Sequence, residues 1–206
     1  MKKHWNLRYI YNRLKNYFFE KNNQDLPWLT PDSINLLDSL INRTDIGVEF
    51  GSGRSTAWFA VRCKFLTSVE DNLQWYKIVK EKLKKTQIKN VHYFYKNSIS
   101  ENDQESEYYK TIEEFDDSSI DFILIDGKQR DILSLSAIEK IKLGGLLILD
   151  NANRYLPFKT YSPHSVNNDL NKVTKEWALF NKKINTWRRI WTSNGVTDTV
   201  IYIKTV

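Results

Sequence analysis

Apolar residues recur along this chain with two different periods, and the alternation between those periods predicts its fold. Residues 46–50, 65–69, 91–95, 120–125 and 146–149 are short runs rich in aliphatic, β-branched and aromatic side chains, each bounded by polar or glycine-bearing turns. Runs of this kind suit strands buried on both faces of a parallel sheet. Between them the spacing changes. Trp75, Val79 and Leu83, and later Leu133, Ala137, Ile138 and Ile141, fall on single faces of helices, the second of which starts at Asp131 and is expected to stop at Gly144-Gly145. The chain closes with a helix around 170–180 and two apolar runs, 187–191 and 197–203, joined by the turn signal Asn194-Gly195. The prediction is a doubly wound, mostly parallel α/β sheet of seven strands with a C-terminal antiparallel hairpin.

Before the first strand, Leu7, Ile10, Leu14, Tyr17 and Phe18 recur at helical spacing with basic residues on the remaining face. A lid, a membrane-surface helix and a docking helix all fit this pattern; docking of the apolar face against the body of the chain is preferred, since surface helices on bilayers usually carry a larger uninterrupted apolar face. Leu26-Pro27-Trp28-Leu29 reads as a bend, and Thr30-Pro31-Asp32 as a hydroxyl-capped start of a helix through Leu36, Leu37 and Leu40. Residues 100–119 are polar, with Tyr108, Tyr109, Ile112 and Phe115 marking a short helix inside a connection. The expected division is a helical extension over residues 1–25 and one domain over 26–206, a size that can bury a full core.

A net charge of +6 permits a nucleic-acid or membrane partner without requiring one. Lys77, Lys80, Lys82, Lys84, Lys85 and Lys89 wrap around one predicted helix and its exit rather than forming a stripe, which reads as a solvated face. A single cysteine, Cys63, excludes an intramolecular disulfide and a Cys-based zinc site. No stretch suits a bilayer span, and Arg8, Arg13 and Lys15 interrupt any apolar segment after the basic Met1-Lys2-Lys3-His4-Trp5 start, so the chain reads as cytoplasmic.

The candidate chemistry centres on Val48-Glu49-Phe50-Gly51-Ser52-Gly53-Arg54-Ser55-Thr56, a strand that breaks into a glycine loop and a helix start. Two glycines at this spacing serve either as turn punctuation or as a loop whose bare backbone approaches a ligand. The second strand ends at Glu70, nineteen residues after Gly51, where an acidic side chain would meet a ribose. Dinucleotide sites want a third Gly or Ala where this chain has Thr56, and Glu49 would repel a pyrophosphate while favouring an amino group or a sulfonium. S-adenosylmethionine carries both.

In these motifs the chain resembles the class I S-adenosylmethionine-dependent methyltransferases, whose first motif is a Glu/Asp-x-Gly-x-Gly loop, and within them a bacterial small-molecule branch related to the O-methyltransferases. The resemblance implies the Rossmann-like methyltransferase fold and cofactor contacts from Glu49, Gly51, Ser52, Gly53, Ser55, Thr56, Glu70, Asn97, Ser98 and Asp126. Asn97 and Ser98 read equally well as a plain turn. Metal-dependent relatives hold a divalent cation on an Asp after the fourth strand and an Asp-Asn pair after the fifth, which Asp126, Asp150 and Asn151 match; the alternative is that Asp150-Asn151 only caps a turn. The implied catalytic residues are Asp126, Lys128 and Asp150, although Lys128 lies two residues after Asp126, and the third position, where the metal-dependent pattern keeps its lysine, is Gln129. Lys128 and Arg130 also read as anion-binding or simply solvated loop charges. His4, His92 and His164 are too scattered for a ligand set, with His164 the one candidate base, and Tyr155-Leu156-Pro157-Phe158 with Tyr161 are expected to wall an acceptor pocket. The implied function is O-methylation of a small molecule or glycan with S-adenosylmethionine, with Mg²⁺ or another divalent cation as an optional aid. The alternatives are an RNA methyltransferase, with nucleic acid the second choice of acceptor, and a non-catalytic binding module of the same fold. Oligomeric state has no sequence signal.

Overall fold

A computed structural model describes residues 5–167 and 169–205; Met1–His4, with the basic start of the chain and His4, lie outside the described residues. Each predicted strand run becomes a strand. In chain order the elements are α1 (Leu7–Asn22), α2 (Pro31–Leu40), β1 (Ile46–Phe50), α3 (Arg54–Ala60), β2 (Phe65–Glu70), α4 (Leu73–Lys85), β3 (Val91–Tyr95), α5 (Glu107–Glu113), β4 (Ile120–Ile125), α6 (Arg130–Lys140), β5 (Ile141–Asp150), α7 (Lys175–Lys183), β6 (Arg188–Ser193) and β7 (Asp198–Ile203). They build one seven-stranded sheet in the order β3-β2-β1-β4-β5-β7-β6. The first five strands are parallel, while β7 runs antiparallel between β5 and β6. The order reverses direction between β1 and β4, so the loops after these strands form the crevice where such sheets bind ligands.

Two apolar layers cover the sheet. One gathers Val48, Phe50, Ile123, Ile125, Leu147 and Leu149 under α5, α6 and α7; the other gathers Leu66, Phe122, Leu124 and Ile148 under α2 and α3. Alternation along β4 and β5 sends successive side chains to opposite layers, which is why those runs are continuously apolar. Cys63 is buried in the second layer as a small hydrophobe.

Several local expectations are corrected. The helix read as stopping at Gly144-Gly145 ends at Lys140, where the Ile141 amide donates to Ala137, and β5 begins at once. The two glycines instead lie inside β5, where the register with β4 shifts between Ile120 and Phe122. Gly144 takes φ +79°, a value open to glycine but strained for other residues. Thr30 does not cap α2; its hydroxyl hydrogen-bonds with Ser33 Oγ and Thr192 Oγ1, tying the helix start to β6. The helix around 170–180 resolves into a short 3-10 turn, Leu170–Lys172, followed by α7.

The largest correction concerns α1. It does dock on the body, but through the side opposite the predicted apolar stripe: Asn16 is buried and accepts from Asn194 Nδ2 at 2.9 Å, Arg54 Nη1 donates to the Glu20 carbonyl at 3.2 Å, and Phe19 packs half-buried against the second layer. Leu7, Ile10, Leu14, Tyr17 and Phe18, expected to face inward, are exposed, Leu7 by 87%. Asparagine and backbone groups can pair with the polar hairpin turn and the start of α3, which an apolar face could not do.

Candidate functional site

The glycine loop is held from below by a buried carboxylate. Gly51 takes φ +94°, and a Cβ placed there would lie 2.5 Å from the Gly127 amide nitrogen, so the loops after β1 and β4 touch backbone to backbone. Gly53 has extended backbone, and its amide donates to Thr56 Oγ1 at 3.0 Å. Thr56 in turn donates to Glu49 Oε2 at 2.6 Å, and Ser68 Oγ donates to the same oxygen at 2.6 Å. Glu49 Oε1 is buried with no hydrogen-bond partner. Burial pushes the Glu49 carboxyl from its ordinary 4.5 up to about 7, against the pull of the Ser55, Ser68 and Thr56 hydroxyls, with the Asp126 charge adding to the rise.

Glu70 sits at the end of β2 as read from the sequence, and it organises the loop directly. Its Oε2 accepts from the Ser52 amide at 2.9 Å and from Ser52 Oγ at 2.8 Å, while Oε1 accepts from the Asn72 amide at 2.8 Å. Tyr93 Oη lies 2.6 Å from Ser52 Oγ, and Trp75 Nε1 donates to the Ser52 carbonyl at 2.8 Å. With a single hydrogen bond accepted, Glu70 Oε1 keeps room for a second donor. On the neighbouring loop Ser98 Oγ donates to Asp71 Oδ2 at 2.8 Å, whereas Asn97 Oδ1 accepts from the Ile99 amide at 3.0 Å and so shapes the turn.

The residues matched to a metal site are brought together, but around an arginine. Arg130 Nη2 donates to Asp126 Oδ1 at 2.9 Å and also to the Asp126 carbonyl, Nη1 donates to the Asp150 carbonyl at 2.5 Å, and Nε donates to the Gly127 carbonyl at 2.9 Å. The guanidinium thereby fills the space between the ends of β4 and β5 with a fixed positive charge. Asp150 is turned inward: Oδ1 accepts from Thr199 Oγ1 at 2.8 Å and Oδ2 from Asn151 Nδ2 at 2.7 Å. Asn151 spends the same amide group on Thr197 Oγ1 at 2.8 Å. Burial first, and then the Asp126 charge, raise the Asp150 carboxyl to about 7. Asp126 is also raised by burial, with Arg130 pulling it back. Among the described residues no group of three His, Cys, Asp or Glu could hold a metal ion. As they stand, Asp126, Asp150 and Asn151 do not fit a divalent cation: one carboxylate is paired with a guanidinium and the other is consumed by its own strand neighbours.

Lys128 is exposed on the surface of the β4 loop. Gln129, in the left-handed region at φ 51°, accepts from Ser106 Oγ at 2.9 Å and donates to the Ser98 carbonyl at 3.0 Å, so it braces the loop. His164 also has a left-handed backbone in an exposed turn.

Beyond β5, a groove of about 630 Å³ runs between α1 and the 158–161 segment, with Arg8, Lys15, Phe158, Lys159, Tyr161 and Trp191 among its lining residues. It lies toward the β6 side of the same sheet edge rather than over the glycine loop. Phe158 stacks on Trp191 at 4.3 Å between ring centroids, and Arg189 lies over both rings. Of the residues expected to wall an acceptor pocket, Phe158 and Tyr161 line this groove, whereas Tyr155 stacks on Trp177 and Leu156 enters the core. The wall is pinned by a buried Asp198, which accepts from Ser162 Oγ at 2.5 Å and from Trp191 Nε1 at 2.9 Å.

The same parallel sheet, crevice and hairpin occur in solved structures. A Streptococcus mutans protein named as a methyltransferase and solved with S-adenosylhomocysteine superposes with a TM-score of 0.60 at 14% identity over 87% of this chain and 99% of that one. The chain has the fold of the class I S-adenosylmethionine-dependent methyltransferases. A Staphylococcus aureus methyltransferase-fold protein named as a caffeoyl-CoA O-methyltransferase gives a TM-score of 0.60 at 19% identity, covering 98% and 94% of the two chains. One named as an rRNA methylase, from Clostridium thermocellum, gives 0.60 at 12% identity over 88% and 98%. No protein-family model matches the sequence, and no curated protein matches it.

Sequence reasoning did not foresee the structural parts that three residues play on this methyltransferase fold. Arg130 reads as an anion-binding or solvated loop charge because the strand ends it bridges, at Asp126 and Asp150, are twenty-four residues apart. Asp71 is hidden beside the more legible Glu70. Asp198 falls inside the apolar run 197–203 without standing out, although a carboxylate at the start of an apolar strand carries a weak signal of burial.

Proposed function

We propose that this chain is an S-adenosylmethionine-dependent methyltransferase, a single domain over residues 26–206 with an N-terminal helical extension, which methylates an oxygen of a small anionic molecule or glycan without a bound metal. The observation that carries the cofactor reading is Glu49 Oε1, a buried carboxylate oxygen without a partner beneath the Gly51–Gly53 loop. An unpaired buried acceptor of this kind is costly unless it is protonated or meets a cation, and the cofactor is cationic at its methionine end. Glu70, with Oε1 able to accept one more hydrogen bond, suits a ribose hydroxyl, and Ser98 with Asp71 offers a polar edge for the base.

The cofactor supplies an electrophilic methyl group; the rest falls to the chain. Asp126 is the carboxylate at the crevice whose Oδ2 makes no side-chain hydrogen bond among the described residues, and it would take the proton of the acceptor hydroxyl. Arg130 holds that carboxylate in place and adds the positive charge that favours an oxyanion in the crevice. Asp150 supports the strand end through Thr199 and Asn151 and does not act on substrate. Phe158, Trp191 and Tyr161 offer flat apolar contact, and Arg8, Lys15 and Lys159, against the one acidic lining residue Asp32, favour a negative group on the acceptor.

A groove of about 630 Å³ is the size of a small-ligand site. The lysines of α4 give no support to a nucleic-acid acceptor. The helix runs back from the end of β2 to the start of β3, so its Lys82, Lys84 and Lys85 turn lies at the opposite edge of the sheet from the crevice. The test is calorimetric titration with S-adenosylhomocysteine, with NAD as control, in EDTA and again in Mg²⁺. Selective binding of the homocysteine product in both buffers is expected; binding of neither ligand would move the reading to a non-catalytic module.

A further inference from the structure

α1 is amphipathic in the opposite sense from the helices packed on the sheet. At about 100° per residue, Tyr17, Ile10, Leu14, Leu7, Phe18 and Tyr11 fall within one arc of about 120°. All six are exposed. The opposite arc is used for attachment: Asn16 pairs with Asn194, Asn12 packs against Gly195, the Glu20 carbonyl accepts from Arg54, and Phe19 packs half-buried against the core layer under α2 and α3. The helix is therefore anchored by hydrogen bonds and one aromatic side chain, while its apolar arc points away from the core.

The charges decide what this arc fits. Arg13 borders it on one side, Lys15 and Arg8 on the other, and Lys21 closes its C-terminal end. The one acid of the helix, Glu20, accepts from Asn16 Nδ2 at 2.7 Å on the attached side. We propose that α1 docks this chain onto an anionic lipid surface, with the apolar arc at the acyl boundary and the flanking cations among the headgroups. A second copy of the chain would bring the same cations together and is disfavoured by their repulsion. Nucleic acid would match the charges and leave the apolar arc in water. Tyr11 and Tyr17, together with the exposed Trp5 just before the helix, have the half-apolar, half-polar character that favours the bilayer interface. Because Arg8, Asn12, Lys15 and Asn16 also line the groove, docking brings that groove next to the headgroups. The inference stands apart from methyl transfer and needs no cofactor.

The test is co-sedimentation of the full chain with vesicles of phosphatidylcholine alone and of phosphatidylcholine with phosphatidylglycerol in equal parts. The chain should pellet with the anionic vesicles only, and added salt should release it. Leu14→Glu with Phe18→Glu should abolish pelleting, and Arg13→Glu with Lys21→Glu should weaken it by about tenfold or more. These side chains are exposed, so circular dichroism and melting should match the parent chain. Pelleting that is absent, equal on neutral vesicles, or unchanged in the Leu14→Glu, Phe18→Glu chain overturns the proposal. So does a lipid-free dimer in sedimentation velocity that this variant dissociates, which would assign the arc to a second copy.

Discussion

Glu49 and Asp150 lie at the ends of neighbouring regions of one sheet, both buried and both raised to about 7, yet they are built for different purposes. At the β5–β7 end each Asp150 oxygen is matched by a donor of its own chain, Thr199 on one side and Asn151 on the other. Beneath the glycine loop Glu49 concentrates the Thr56 and Ser68 hydroxyl donors on one oxygen, with the Ser55 hydroxyl also drawing on its charge, and among the described residues its other oxygen makes no hydrogen bond. Two carboxylates that look alike in sequence, and share a titration range, thus separate once each oxygen is followed to its partner. The first braces a strand end; the second has an oxygen open to the cation that the proposed cofactor would bring.

The sharpest way to break this comparison is at Arg130, which serves the braced side. Arg130→Ala leaves the Asp126 carboxylate and three strand-end carbonyls without their donor and should cost about 3 kcal/mol in denaturant unfolding. A loss near zero would mean that the guanidinium is a solvated charge after all. Next in size, Glu49→Gln should weaken S-adenosylhomocysteine binding by about 2 kcal/mol near pH 8, whereas Asp150→Asn should change it by less than about 0.5 kcal/mol while lowering thermal stability. Equal effects on binding would erase the distinction between the two sites. pH gives a smaller signal with a definite sign. Both folded values are raised, from 4.5 and 3.8 to about 7, so the folded state holds more protons and its stability falls as pH rises across that window. The ligand-free chain should melt higher near pH 5.5 than near pH 8. The smallest expected effect is that of metal: EDTA or Mg²⁺ should leave the melting temperature unchanged, because Arg130 already supplies the cation between the two strand ends.

The sheet was legible because its strands are either buried on both faces or closed by a strong turn signal. The loop chemistry was legible where a short segment carries its own logic, as Glu49 to Thr56 does with Glu70. What escaped was what the chain brings together from a distance. Arg130 reaches the carbonyl of Asp150 across a strand and a helix, and no local pattern marks it as the ion between them. Gly144-Gly145 imitates a helix stop, yet the neighbouring β4 register draws the segment into a strand. In α1 the periodicity gave the helix correctly and its orientation wrongly, since the pattern of apolar positions does not say whether the polar face has hydrogen-bond partners elsewhere in the fold.

The most direct test of the central claim is the pH dependence of S-adenosylhomocysteine affinity, measured by calorimetry from about pH 6 to about pH 8 on the parent chain and on Glu49→Gln. If Glu49 meets the ammonium group of the ligand, binding favours its charged form, releases a proton, and tightens as pH rises through about 7, with the slope lost in the variant. Affinity that is flat with pH in the parent chain, or a slope that survives the substitution, would contradict the account.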